Sequence, residues 1–314
     1  MLTRRHIRVK VLQTLYARHQ SADQDQESQE KFLTQSLDQM QELQALLLLM
    51  IVAVRNQAEK FTQRAQKKYF ASDDERNPSA NFTQNQLVDL IHNHHILTQF
   101  AKKKKLKNWE QDDEYVVILF NKLKEAPWYL EYLALNNPSF NQDRAFIVRF
   151  YKEILAQDDK LYDYIEDKSL TWIDDFPWVN TAMVKRLNKI TPDRSSDLFT
   201  LGVFKDQDDQ QFGQKLFRGV LRHQSELQEL FAGKTPNWDQ DRIADLDLLM
   251  LYMGICEFLY FPSIPVRVSI NEYLEIAKEY STPKSSLFIN GILDNIVKDL
   301  MAKDQLNKNE RGLR

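Results

Sequence analysis

Basic side chains crowd the start of the chain. Arg4, Arg5, Arg8 and Lys10 all precede the first acidic residue, Asp23. Positive charge in the first turn of a helix opposes the helix dipole, so several arginines there cost stability unless an anion binds them. RNA phosphates are the natural anion for such a cluster. The residues by themselves fit either an RNA-binding helix tip or a solvated, frayed N-terminus.

A second basic run comprises residues 102–105 and Lys107, just before Trp109. Lysines beside an exposed ring can clamp phosphates while a base stacks on the ring. Four acidic residues follow within residues 110–114, however, and runs of mixed charge are usually exposed helix faces. We therefore expect this run to be solvated rather than to bind RNA.

Neither a metal site nor a catalytic group is predicted. His92, His94 and His95 could share a helix face, but no cysteine lies nearby to complete a tetrahedral site. Ser269 and Glu272 fit a helix-capping pattern, which explains the glutamate without catalysis. The glycine-rich patterns of dinucleotide and phosphate loops do not occur in the sequence. We expect no cofactor, no metal and no enzymatic activity.

Composition points to helices. Only seven glycines occur in 314 residues, and the first is Gly202. Because turns and hairpins depend on glycine, the sequence predicts an all-α fold. A net charge of −3 carries no overall nucleic-acid signature, so any RNA contact must come from local charge.

The sequence predicts a cytoplasmic protein without membrane contact. Cys256 is the only cysteine, which fits a reducing compartment. The apolar runs at 45–54 and 246–261 are too short to cross a bilayer. No signal-peptide pattern follows the basic N-terminus.

Two motifs in the last third of the chain are the most specific. Residues 264–278 read I-P-V-R-V-S-I-N-E-Y-L-E-I-A-K, and residues 288–294 read F-I-N-G-I-L-D. Pro265 suits a first helical turn, and the apolar positions of both segments follow the helical period. Gly291 inside the second helix is expected to mark a close helix–helix approach, since an interior glycine costs roughly 1 kcal/mol.

Both motifs resemble those of the NusB family of bacterial transcription antitermination factors. The family patterns are V-P-x-x-V-x-I-N-E-x-x-x-L-A-K and F-V-N-G-V-L-D. Segments 4–16, 215–220 and 246–258 are also similar to family helices. The resemblance implies a NusB-like helical bundle with an additional helical insertion. It also implies a factor that binds boxA-like single-stranded RNA of ribosomal RNA leaders with ribosomal protein NusE, and through that complex joins RNA polymerase and other Nus factors.

The resemblance assigns RNA binding to the basic first helix, through Arg4, Arg5, Arg8 and Lys10. Because of this resemblance, we prefer the RNA-binding interpretation of that helix to a solvated, frayed terminus. Affinity should then fall steeply with salt, because several arginines neutralise phosphates.

The resemblance implies two further sets of contacts. Lys284 and Ser285 stand where the family commonly has an acidic residue followed by serine, so the lysine is expected to strengthen phosphate attraction. The protein partner is expected on the C-terminal helices, at Asp247, Tyr252 and Glu257.

Four segments are predicted along the chain. They are a basic first helix of the NusB-like core at 1–20, a helical insertion packed on the core at 21–205, the NusB-like C-terminal core at 206–303 and a polar tail at 304–314. Within them, 143–175 and 209–241 are weakly similar at a constant offset of 66 residues. We interpret this as a duplicated helical unit, and chance agreement between amphipathic helices is the alternative.

Two other functions stay open. One is a helical protein–protein adaptor without RNA binding. The other is a relative of the accessory domain of ribosomal RNA cytosine methyltransferases, although the catalytic domain of such enzymes is missing from the sequence.

Overall fold

The structure is a computed structural model that describes residues 3–21, 25–67, 76–202, 204, 206–232, 234 and 243–313. Its elements are helices, and no strand occurs within these ranges, which confirms the predicted all-α class. Two short 3₁₀ segments, Leu155–Gln157 and Pro192–Leu198, complete the regular structure.

The helices are numbered here in chain order. They are α1 Arg4–Gln20, α2 Gln26–Gln66, α3 Gln86–His92, α4 His95–Lys104, α5 Asn108–Gln111, α6 Asp113–Glu125, α7 Pro127–Leu133, α8 Phe140–Glu153, α9 Asp159–Lys168, α10 Trp172–Lys189, α11 Gln207–Arg222, α12 Gln224–Ala232, α13 Asp245–Tyr260, α14 Val266–Tyr280 and α15 Ser285–Ala302.

Local sequence explains where several helices begin. The Asn85 side chain accepts hydrogen bonds from the backbone N–H groups of Leu87 and Val88 and so caps α3. Ser139 forms a capping box with Gln142 at the start of α8. Asp206 caps α11 in the same way as Asn85 caps α3. These side chains satisfy backbone donors that have no partner within the helix.

The chain divides into two compact units. The first contains residues 1–37 and 203–314, and the second contains residues 38–202. The predicted insertion was set at 21–205, so the first turns of α2 belong with the first unit instead.

In the first unit, α1 packs on α11, α13 and α14, and α14 packs on α15. The core is built from apolar residues of these helices, such as Ile7, Phe217, Met253, Ile276 and Leu293, all of which are buried. Their 3.6-residue spacing gives each helix one apolar face. The two C-terminal motifs therefore form the helix pair α14 and α15.

In the second unit, α2 is the central element. Trp109 and Trp172 each donate an indole N–H to an α2 backbone carbonyl, those of Leu46 and Gln39. By length and composition α2 could cross a membrane, but 72% of its most apolar window is buried inside the protein. Such burial is typical of a helix in the core of a protein.

The C-terminal segment packs against the end of α13. The Lys308 ammonium donates to the backbone carbonyls of Glu257 and Phe261, and the Asn309 N–H donates to the Pro262 carbonyl. Burial lowers the pKa of Lys308 to about 8. The predicted polar tail therefore closes the last turn of α13, where carbonyls lack helical partners.

Gly291 does not mark a close helix–helix approach, contrary to expectation. A Cβ atom built on it meets nothing within 4 Å, and the residue is exposed. Close helix–helix approaches in the first unit occur instead at Gly213, where a Cβ would lie 2.8 Å from Ile7, at Gly219, 2.8 Å from the Cys256 sulfur, and at Gly254, 3.1 Å from Leu293.

The suggested 66-residue repeat stays a prediction. Its paired positions Phe146 and Phe212 are both buried, as are Leu161 and Leu227. Trp238, the expected partner of Trp172, lies outside the described residues.

Candidate functional site

The basic first helix is anchored by its apolar face. The helical spacing predicts that Ile7, Val11, Leu12, Leu15 and Tyr16 hold this helix in the core. The first four are buried in the first unit, but Tyr16 is 38% exposed. No acidic residue lies in the first turn of α1 to compensate the helix dipole. The acidic groups that face its arginines come from other helices.

Arg8 forms a buried ion pair with Glu257 of α13. Its Nε and Nη2 atoms donate to the two carboxylate oxygens at 2.6 and 2.9 Å. The two side chains are 2% and 0% exposed. A two-pronged pair of this kind gives charge-assisted bonds with fixed geometry.

The Glu257 carboxylate accepts two further hydrogen bonds from side chains of α14. Ser269 Oγ donates to it at 2.5 Å and the Tyr273 hydroxyl at 2.7 Å. Burial by itself would raise the pKa of Glu257, but the charge of Arg8 and the four hydrogen bonds outweigh burial and lower it. The carboxylate is therefore ionised and fully satisfied in the core.

This cluster corrects three sequence-based assignments. Arg8 was expected to bind RNA phosphates, yet its guanidinium is inside the protein and neutralises a carboxylate. Lys10, from the same expected set, is also buried. Glu257 was expected to contact a protein partner, and it has no exposed surface. The cluster ties α1 to α13 and α14.

The other two arginines of α1 lie nearer the surface. Arg5 binds Glu272 of α14 through two hydrogen bonds of 3.0 Å, and 36% of its side chain is exposed. Arg4 donates to Asp209 of α11 at 2.6 Å and lies 5.3 Å from the Phe212 ring centre. Both arginines thus stay at the surface end of α1, each beside one carboxylate.

The turn before α15 contains the last expected RNA contacts. Lys284 is exposed and immediately precedes α15. Ser285 is buried, and its hydroxyl bonds those of Ser281 and Thr282. Its expected role as an RNA ligand is replaced by one in holding the turn.

The other expected partner contacts are buried as well. Asp247 accepts a 2.6 Å hydrogen bond from Ser281 Oγ, so it belongs to the same turn network. Tyr252 is buried with its ring against Phe231. Apolar periodicity places these residues on α13, but α13 is covered on nearly every side.

Sequence reasoning missed a groove beside α11. The groove has a volume of about 490 Å³ and is open to solvent. Its lining residues come from α1, α11 and the end of α13 and include Arg4, Lys215, Arg218, Arg222 and Tyr260. The three basic residues of α11 follow a helical spacing of three and four, so one face of α11 could have been identified from the sequence.

The ring next to the lysine run cannot stack on a base, which agrees with the expectation that this run does not bind RNA. Trp109 is buried, donates its N–H to Leu46 and packs against Tyr164 at 5.2 Å between ring centres. Lys104 pairs with Glu42. His94 caps α4 by accepting from the Leu97 N–H. Among the described residues, no cluster of metal-binding side chains occurs.

Comparison with known proteins gives a consistent result. The family model described as "NusB family" matches residues 188–298, which span α11 to most of α15. No solved structure matches the chain.

Three proteins named transcription antitermination protein NusB are similar to the chain. That of Salinibacter ruber (strain DSM 13855 / M31) is 41% identical over 35% of this chain and 68% of the relative. That of Methylacidiphilum infernorum (isolate V4) is 43% identical over 30% of this chain and 66% of the relative. That of Chloroherpeton thalassium (strain ATCC 35110 / GB-78) is 40% identical over 32% of this chain and 47% of the relative.

Proposed function

The chain belongs to the NusB family of transcription antitermination proteins, and we propose that it binds boxA-like single-stranded RNA of ribosomal RNA leaders together with NusE. Through this complex it joins RNA polymerase and other Nus factors in the cytoplasm. The protein acts by binding, and no catalytic group is assigned. The methyltransferase alternative finds no support in these three relatives, which are all named as antitermination proteins.

One observation supports this proposal most directly. The body of α1 is fixed in the core by Arg8 and Glu257, while Arg5, three residues earlier, keeps 36% of its side chain exposed. A helix tip held in this way presents charge at low entropic cost, because the backbone is already ordered. RNA phosphates would then meet a preformed basic surface.

The acidic partners of Arg4 and Arg5 do not prevent this role. The Arg5–Glu272 pair is partly exposed, and exposed pairs contribute only about 0 to 1 kcal/mol, so a phosphate can take the place of this carboxylate at small cost. Asp209 is only 10% exposed, so Arg4 keeps this partner and meets a phosphate with its remaining N–H donors. Each guanidinium also has five N–H donors and can bind a carboxylate and a phosphate together. The proposed RNA contacts are therefore Arg4, Arg5 and the exposed Lys284.

The test is fluorescence anisotropy of a labelled boxA-like RNA and a scrambled RNA, across a salt series, with and without NusE. The variant Arg4→Ala/Arg5→Ala is compared with Arg149→Ala/Arg194→Ala. Both control arginines are exposed, and Arg149 pairs with Glu153 much as Arg5 pairs with Glu272. Circular dichroism melts show whether each variant is folded.

We expect the Arg4/Arg5 variant to weaken binding of boxA-like RNA at least tenfold, and the salt slope to shrink by about 1.4 for two lost phosphate contacts. The control variant should match the unmodified protein. NusE should tighten binding of the boxA-like RNA and leave the scrambled RNA weak. If the unmodified protein binds neither RNA, with or without NusE, the adaptor alternative stands and the proposal fails.

A further inference from the structure

We propose that the groove beside α11 binds a further stretch of single-stranded RNA that flanks the boxA-like element. Its bases stack at Tyr260 and its phosphates are held by Lys215 and Arg222. This inference rests on the proposed function for the identity of the RNA, and it adds a second contact region to the same strand.

The groove adjoins the proposed contact surface of α1. Arg4 lines the groove together with residues of α11 and of the chain from Tyr260 to Ser263. An RNA strand at Arg4 can therefore pass into the groove without crossing another element. The α1 tip and the groove form one continuous path.

Two groove cations are free to bind phosphates. Lys215 and Arg222 are exposed, and neither forms an ion pair with another residue in the described part of the chain. Seven residues of helix separate them, about 10 Å along the axis, so they reach different phosphates. Asp208 is the acidic residue among those lining the groove, and Arg218 is already paired with Glu30.

An aromatic platform lies between these charges and the end of α13. The His223 and Tyr260 rings are stacked, with centres 3.9 Å apart and planes 21° apart. The Tyr260 hydroxyl hydrogen-bonds Glu226, which fixes the ring, while 38% of the residue stays exposed. A fixed and partly exposed ring is a suitable surface for an unpaired base.

These features favour a single strand over the other polyanions. An A-form duplex hides its bases within the helix and offers phosphates and hydroxyls, so the ring would have no partner. An acidic protein segment would use the charges but not the ring face. Cations interleaved with a stacking platform are the combination that single-stranded nucleic acids require.

The experiment measures binding of three RNAs by fluorescence anisotropy: the boxA-like element alone, the same element extended by six unpaired uridines on each side, and oligouridine of twelve nucleotides. The proteins are the full chain, Lys215→Ala/Arg222→Ala, and the matched control Lys152→Ala/Lys160→Ala, whose residues are exposed in the second unit.

The extended RNA should bind the full chain at least fivefold more tightly than the element alone, the equivalent of about one stacked base. Lys215→Ala/Arg222→Ala should abolish this gain and leave the affinity for the element alone within twofold, whereas the control should change neither. A gain that survives the groove variant would overturn the inference.

Binding to oligouridine shows whether the groove inference or the proposed function has failed. If the full chain does not distinguish boxA-like from scrambled RNA, but binds oligouridine in a way that Lys215→Ala/Arg222→Ala weakens, the groove binds RNA and the boxA proposal fails. If the groove variant changes binding of neither extended RNA nor oligouridine, the groove inference fails while the element can still bind at α1.

Variants of Tyr260 isolate stacking from structure. Tyr260→Phe keeps the ring and loses the bond to Glu226, so its RNA affinity should stay within twofold. Tyr260→Ala removes the ring and should weaken extended RNA by about tenfold, within the range for one stacked base. Equal losses in both variants would mean that the hydroxyl holds the fold and would contradict a stacking role.

Discussion

Arg8 and Arg5 lie three residues apart on α1, and each binds a glutamate through two hydrogen bonds, yet their surroundings differ completely. The Arg8–Glu257 pair is buried and also receives Ser269 and Tyr273, while the Arg5–Glu272 pair is partly exposed to solvent. Water screens the partly exposed Arg5–Glu272 pair, here called the outer pair. The buried Arg8–Glu257 pair, the inner pair, is shielded from solvent. The same chemistry therefore serves stability at one position and is available for binding at the other.

The largest effect should come from breaking the inner pair. Glu257→Gln removes the carboxylate that forms both hydrogen bonds with the buried Arg8 guanidinium and leaves it only the Glu272 carboxylate at 3.6 Å, so we expect a loss of about 3–5 kcal/mol in the free energy of unfolding. Urea denaturation followed by circular dichroism measures it. The matched variant Glu272→Gln should lose less than Glu257→Gln, because Glu272 is 21% exposed and lies 3.6 Å from Arg8, which keeps both hydrogen bonds to Glu257.

A double variant sharpens this contrast. Arg8→Met/Glu257→Leu replaces both charges with apolar groups of similar size, which is often neutral or stabilising relative to the ion pair. Its stability should exceed that of Glu257→Gln. A double variant as unstable as the single one would mean that the Ser269 and Tyr273 hydroxyls, which lose their buried acceptor, outweigh the removal of the two charges.

Lowering the pH should reduce the free energy of unfolding through His6 of α1. Burial, followed by the charges of Arg5 and Lys10, lowers the pKa of His6 to about 4. Between pH 6.5 and pH 4 the unfolded chain therefore binds a proton at this position that the folded chain does not, so stability falls as pH falls. The His6 share is at most about 3 kcal/mol.

Urea unfolding at a series of pH values from 7.5 to 4.5 tests this dependence. His6→Gln should show a shallower decrease than the unmodified protein, because glutamine does not titrate. Identical pH profiles for the two proteins would mean that His6 titrates alike in the folded and unfolded states.

Removing one hydrogen bond from the inner carboxylate should have a smaller effect. Tyr273→Phe deletes the 2.7 Å bond to Glu257 and should cost about 1.5–2 kcal/mol, since bonds to charged groups are worth more than neutral ones. Tyr16→Phe, at an exposed position of α1, is the control and should be neutral. Thermal unfolding of the three proteins provides the comparison.

The smallest stability effect is expected at the outer pair. Arg5→Ala should lower the free energy of unfolding by less than about 1 kcal/mol while it weakens RNA binding. Denaturation and anisotropy on the same preparation separate the two effects. A large loss of stability with unchanged RNA affinity would assign Arg5 to the same structural role as Arg8.

The sequence predicted the all-α class and most of the apolar face of α1, because both depend on local spacing, but Tyr16 of that face is exposed. It could not predict which arginine of α1 is buried, since the partner of Arg8 lies 249 residues away in the chain. Four-residue spacing placed Arg4 and Arg8 on one face, but spacing carries no information on depth.

Local spacing also fails to predict which glycines are tightly packed and where the groove lies. The rarity of glycine in helices marked Gly291 as special, but only packing shows that Gly213, Gly219 and Gly254 are tight positions. The spacing of Lys215, Arg218 and Arg222 was visible on α11. Their proximity to Tyr260 depends on how α13 packs against α11, which no local pattern encodes.

The sequence separation of the Arg8–Glu257 pair also constrains the order of events on the ribosome. Because the partners are 249 positions apart in the sequence, α1 emerges long before the carboxylate that neutralises Arg8. At roughly 5–20 residues per second, that interval is about 12–50 s. During it Arg8 lacks the carboxylate that holds it in the core, while residues 38–202, which form a contiguous unit, are complete and able to fold before Glu257 is added.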